Sequence, residues 1–150
     1  VDIDNKQLGD LMAQAVPWVR TAGIEFLATE PGRVVVALPD HENTRNHVGG
    51  PHAAMMFGAG ETASGAVVMA SFAEQLGRAT PLVAHAEIRY RKLALGPLRA
   101  DAVLGRTVEE VVAELDAGQR PEFPVHVTLT NADGETTGEL TVVWTLKPHR

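Results

Sequence analysis

The sequence predicts an α+β fold in which a largely antiparallel sheet wraps one long buried helix. Three observations point to it. Residues 51–76 are apolar on nearly every side, with Glu61 the one charge before Glu74, which is the pattern of a helix buried all round. Most of the remaining chain alternates with period two, the mark of strands with one buried face. The strand runs follow one another through turn signals such as Pro31-Gly32, Gly96-Pro97 and Asp133-Gly134, so sequence neighbours pair antiparallel. The 150 residues are 45% hydrophobic and 21% charged, which fits a single domain over residues 1–150 with a real core.

The elements follow in order. Leu8, Leu11, Met12, Ala15 and Val19 fall at helical spacing, predicting an amphipathic helix from about Asp4 to Arg20 that Gly23 stops. Ile24–Thr29 and the Val-rich Arg33–Leu38 form a hairpin, and the polar, turn-rich 39–50 segment is a surface loop. Pro51 suits the first turn of the long helix, because its missing N–H would have no partner there. Gly58, Gly60 and Gly65 each cost that helix about 1 kcal/mol against Ala, so they mark places where another backbone or a ligand comes close. Val83–Leu95 and Leu98–Gly105 are the next strands. Val108, Val111, Val112 and Leu115 give a short helix over Thr107–Ala117, with Thr107 and Glu110 spaced as a capping box. After a loop over Gly118–Pro124, Val125, Val127 and Leu129 alternate inward, as do Leu140, Val142, Trp144 and Leu146 in the last strand.

Composition removes several classes of function. Without cysteine there is no disulfide scaffold, thiol nucleophile or Cys-based metal site, which fits a cytoplasmic protein. A net charge of −6, from 13 Lys+Arg against 19 Asp+Glu, argues against a nucleic-acid partner. No apolar run approaches the roughly 20 residues of a membrane span. The start, Val1-Asp2-Ile3-Asp4, is acidic and so unlike a signal peptide; lacking Met, it reads as trimmed or incomplete. The six histidines are scattered and none forms a ligand pair with a nearby acid, so neither metal nor cofactor is expected.

Chemistry concentrates in residues 46–65. A carboxylate on a buried helix is costly without a partner or a wet site, and desolvation raises the pKa of Glu61 toward the range useful to a general base. The helix start at Pro51–Ala54 offers free backbone N–H groups and a positive dipole end, which suit a developing oxyanion. From His52 to Glu61 is about 13.5 Å of helix, whereas a reacting carbonyl must lie ~3 Å from both donor and base. Two antiparallel helices from two subunits meet that condition, so a two-fold dimer with two shared sites is expected.

The stretch Asn46-His47-Val48-Gly49-Gly50-Pro51-His52 with Glu61 resembles the hotdog-fold thioesterases, above all the small acyl-CoA thioesterases of the phenylacetate-degradation type. The element order resembles the hotdog fold over nearly the whole chain. Those enzymes carry an Asn, then a Gly and a His at the mouth of the central helix and an acid further along; Asn46, Gly49, His52 and Glu61 fall on these positions. The resemblance implies a site with Asn46 and the helix start from one chain and Glu61 from the other. It implies an acyl-CoA substrate, CoA being part of that substrate rather than a cofactor. It also implies a homodimer or, as a dimer of dimers, a homotetramer. The chain departs from the family in having Ala53-Ala54 where two glycines are usual, Ala59-Gly60 before the acid where Leu-Ala is usual, and a longer 107–117 insert.

Each residue has a plainer reading beside the chemical one. Glu61 is a general base or nucleophile, or a structural carboxylate. Asn46 holds a carbonyl or water, or shapes a turn; Gly49 offers an N–H, or only an unusual backbone angle. His52 is catalytic, or merely starts the helix, and His47 is a loop histidine. Ala53, Met56 and Phe57, with Met55, line a substrate pocket or belong to the core. Ser64 shares a face with Glu61 and is a substrate contact or a packing hydroxyl, while Thr62 is a catalytic group or, more plainly, a packing hydroxyl. Arg89 and Arg91, with Lys92, reach coenzyme A phosphates or form a solvated face.

Acyl-CoA hydrolysis leads. A hotdog 3-hydroxyacyl dehydratase is one rival, with His47 and Glu61 suitably separated but no His-Phe-Pro-Gly start. A protein that binds acyl-CoA or fatty acyl groups without turnover is the other.

Overall fold

The computed structural model describes residues 3–150; the Val1-Asp2 part of the acidic start lies outside the described residues. Its order is α1 (Asn5–Ala15), α2 (Pro17–Ala22), β1 (Glu25–Glu30), β2 (Arg33–Leu38), α3 (Ala53–Ser71), β3 (Ala79–Tyr90), β4 (Leu98–Leu104), α4 (Val108–Asp116), β5 (Glu122–Thr130) and β6 (Thr136–Pro148). The six strands form one antiparallel sheet in the order β1-β2-β4-β5-β6-β3.

The helix expected from Asp4 to Arg20 is two helices. Pro17 has no N–H to continue the ladder, so α1 ends at Ala15 with Val16 as its C-cap, and α2 restarts with Pro17 in its first turn. Asp4 caps α1 in a full capping box with Gln7, and Gly23 ends α2 at φ +70°.

The long helix is shorter than 51–76. His52 is its N-cap, which puts Pro51 before the helix rather than in its first turn, and Phe72 closes it; a separate 3-10 turn covers Ala73–Gln75. Met56, Ala59, Ala63, Ala66, Val67 and Val68 are buried against the inner sheet face, where Val34, Val36, Ala100, Ala102, Val125, Val127 and Leu140 meet them. At the far end Phe72 packs against Phe123 with ring centres 5.0 Å apart and the rings tilted by 46°.

The three helix glycines do admit close neighbours, but these are side chains rather than a backbone. A Cβ on Gly58 would lie 2.2 Å from Trp18, one on Gly60 2.7 Å from Leu140, and one on Gly65 3.3 Å from Trp144.

β3 runs over Ala79–Tyr90, not Val83–Leu95, and is a free edge of the sheet. Its alternation is blurred by a register shift at Val83–His85 and by exposure of Leu82 and Val83 as well as the polar positions. Pro81 is tolerated because an edge strand has N–H groups that need no ladder partner. β5 begins at Glu122, inside the segment expected to be loop, and β6 extends beyond its alternating core at both ends.

Candidate functional site

The loop before α3 is built by Asn46. Its Oδ1 accepts from the N–H of Val48 (3.0 Å) and of Gly50 (3.1 Å), and its Nδ2 lies 3.4 Å from the Pro51 carbonyl. The Asn46 N–H donates to the Gly50 carbonyl at 2.7 Å. Gly49 sits at φ +79°, a conformation that favours glycine, and its N–H donates to the Asn46 carbonyl at 3.2 Å. Gly50 is pressed against the chain after β3, where a Cβ would stand 2.0 Å from the Ala94 carbonyl oxygen. Asn46 thus shapes the turn, keeping one Nδ2 hydrogen beyond the Pro51 contact, while the Gly49 N–H closes the turn.

This loop leaves one free donor at the helix start, not several. Pro51 has no N–H; the His52 N–H donates to the Thr44 carbonyl (2.9 Å), and the Ala54 N–H to His52 Nδ1 (2.9 Å). The N–H groups of Met55 and Met56 donate to the His52 carbonyl. Among the described residues only Ala53, the first residue of α3, has a helix-start N–H without a partner. As His52 Nδ1 accepts a backbone proton, any proton on the neutral ring sits on Nε2.

A cleft of about 390 Å³ opens at this point, lined by Asn46, Ala53, Met56, Tyr90, Arg91 and the residues just after β3. The Tyr90 hydroxyl donates to the Ala53 carbonyl at 3.1 Å and ties the end of β3 to the first turn of α3. In the sequence Tyr90 is simply a residue of the strand expected over Val83–Leu95. Its one available signal was a lone tyrosine beside a basic run, and nothing local links it to a residue 37 positions earlier.

Glu61 lies two turns further along α3, half-buried, its carboxylate with no hydrogen-bond or ion-pair partner among the described residues. Burial alone pushes its carboxyl above the usual carboxylate range. Eight residues separate it from Ala53, about 12 Å along the axis, so it stands well outside the cleft at its own chain's helix start.

The other candidates separate clearly. Ser64 is fully buried; its hydroxyl donates to the Glu61 carbonyl (2.7 Å) and accepts from Trp144 Nε1 (3.0 Å). Both functions are spent on packing, so the expected substrate contact is not available to it. Thr62 is likewise buried. Met56 is buried at the cleft floor, and Phe57 and Met55 are half-buried against the core.

Arg89 pairs with Glu87 and Arg91 with Glu139 on the outer sheet face, and Lys92 pairs with Glu135. Of the three, Arg91 and Lys92 border the cleft and Arg89 does not. His47 is exposed in the loop. No cluster of three His, Asp or Glu side chains fit for a metal occurs among the described residues, and no helix there is long and apolar enough to cross a membrane.

No curated protein matches the sequence. Solved structures do. The chain is similar to a Pseudomonas aeruginosa protein of unknown function described as a probable thioesterase, with a TM-score of 0.87, 25% identity and 99% of each chain covered. It is similar in fold to a mutant thioesterase from the same organism (TM-score 0.81, 15% identity, 99% of this chain and 97% of that one). It is similar in fold also to the E. coli PaaI protein from the phenylacetic acid degradation operon (TM-score 0.73, 13% identity, 95% of this chain and 92% of that one). An antiparallel sheet around a long central helix, shared with these proteins, is the hotdog fold. Residues 5–146 match the family model described as a domain of unknown function, DUF4442, and the chain belongs to that family.

Proposed function

We propose that the protein hydrolyses an acyl-CoA thioester, in a site shared between two chains. The observation that carries this reading is the pairing of an unpartnered, half-buried carboxylate, Glu61, with an unpartnered N–H, that of Ala53, on one helix of a fold shared with thioesterases. The Ala53 N–H, at the positive end of α3, stabilises the oxyanion that forms when the thioester carbonyl is attacked. Glu61 takes a proton from water or attacks the carbonyl itself. The remaining Nδ2 hydrogen of Asn46 is a second donor for the carbonyl or the water.

About 12 Å of helix between Ala53 and Glu61 prevents one chain from supplying both to one carbonyl. A second copy removes the obstacle. β3 is a 12-residue free edge carrying exposed Leu82 and Val83, a surface on which another sheet edge can continue the ladder. A two-fold arrangement sets each helix start against the middle of the other helix. Arg91, at the cleft mouth, is placed to meet coenzyme A phosphates once it leaves Glu139.

The test is thiol release from acetyl-, octanoyl-, palmitoyl- and benzoyl-CoA, with Glu61→Gln assayed beside the wild type. The protein has no cysteine, so a thiol reagent reports released CoA alone. Loss of a general base predicts a fall of about 10²–10⁴-fold in kcat. No release from any ester, or full activity in Glu61→Gln, refutes the proposal.

A further inference from the structure

Gly58 lies three residues before Glu61 on α3, so the two are neighbours on one helix face. The space that a side chain at Gly58 would fill is occupied by Trp18 of α2: a Cβ there would stand 2.2 Å from Cη2 and 2.8 Å from Cζ2 of the indole. The same face continues four residues past Glu61 to Gly65, against which Trp144 and Met12 pack. Along the helix, Glu61 therefore stands between the two positions that the indoles cover.

The two indoles differ in what they do. Trp144 is 8% exposed and donates to Ser64, the behaviour of a core residue. Trp18 is 38% exposed and touches α3 through the far edge of its six-membered ring, and Val16 and Leu11 are exposed as well. Trp18 thus packs on α3 at Gly58, three residues from the candidate base, while keeping apolar surface in solvent on which an apolar substrate group gains from contact.

Resting on the thioesterase reading above, we infer that Trp18 is the specificity-determining wall of the acyl pocket, the surface against which an apolar acyl group larger than acetyl lies while its carbonyl is attacked. Trp18 touches the part of the substrate that does not react. It therefore decides which ester is used, and the hydrolytic step depends on Glu61.

Two readouts test this together. In the first, kcat/KM for octanoyl-CoA and acetyl-CoA is compared in the wild type, Trp18→Ala and Trp18→Phe. The ratio of the two should fall by roughly tenfold or more in Trp18→Ala, the scale that a methylene or two confers in an apolar pocket, and by less in Trp18→Phe. In the second, iodide quenching of tryptophan emission is measured in Glu61→Gln protein with and without octanoyl-CoA. Trp18 and Trp144 are the only tryptophans, and Trp18 is the exposed one, so octanoyl-CoA should remove the iodide-accessible emission and acetyl-CoA should not. Trp18→Phe, the conservative replacement, should lack that component and so verifies the assignment.

Hydrolysis with an unchanged ratio and no protection from iodide overturns the inference while leaving the thioesterase reading intact. Protection without hydrolysis by the wild type keeps the acyl wall and sinks the hydrolytic reading. Neither hydrolysis nor protection sinks both.

Discussion

A charged carboxylate in a half-buried position destabilises the fold, and Glu61 has no cation among the described residues to offset it. Because burial raises its folded pKa, the folded chain holds this proton to higher pH than the unfolded chain does. Its contribution to stability is complete below the ordinary carboxylate range and is lost as pH rises through the raised value. Urea unfolding followed across that interval should show Glu61→Gln becoming more stable than the wild type as pH rises. The same titration should appear in the wild-type kcat profile as a rise with pH centred above the usual carboxylate range. Carboxylates whose pKa is raised by burial cluster at functional sites, in keeping with the role proposed for Glu61. Much of this was legible in the sequence, since a lone acid in an apolar helical run is visible without coordinates. Ser64 was not: its spacing puts it near Glu61, but only the register between α3 and β6 shows that Trp144 already uses its hydroxyl.

At the scale of the element, the start of α3 has one unpartnered N–H, and the proposed oxyanion role rests on it. Ala53 is exposed and is the first helical residue, and His52 before it has φ −60° and ψ 145°. Proline favours that first position, and the residue before a proline favours that extended conformation. Ala53→Pro should therefore remove the donor without disturbing the helix. We expect thermal unfolding at or above the wild-type temperature and a kcat lower by about 10²–10³-fold, the effect of losing one oxyanion donor. Retention of wild-type kcat would move the oxyanion site elsewhere.

The element boundaries explain where sequence reading fell short. α1 and α2 share one apolar periodicity that runs straight through Pro17, so the pattern hid a break that the missing N–H enforces. The long helix seemed to begin at Pro51 because its cap is a histidine ring nitrogen, not one of the usual Ser, Thr, Asp or Asn caps. β3 was displaced because an edge strand does not keep a clean alternation of buried and exposed residues.

For the whole molecule, the architecture was legible because the long apolar helix and the turn-linked strands allow few other arrangements. Two features of the site were not. Tyr90 reaches Ala53 from the far end of the sheet, and Trp18 reaches Gly58 from α2, each through tertiary contacts with no local signature. The distance along α3 was readable, and the proposed shared site depends on it, with the Ala53 N–H of one chain and the Glu61 carboxylate of another acting on one thioester. Mixing two disabled proteins tests this directly. Glu61→Gln and Ala53→Pro, each inactive by itself, are unfolded together, refolded and assayed for CoA release. In a mixed dimer one site takes its Ala53 from the Glu61→Gln chain and its Glu61 from the Ala53→Pro chain, and is whole. Random pairing makes half the dimers mixed with one working site of two, so about a quarter of wild-type activity should return. Mixed protein that stays as inactive as its parents would contradict the shared site.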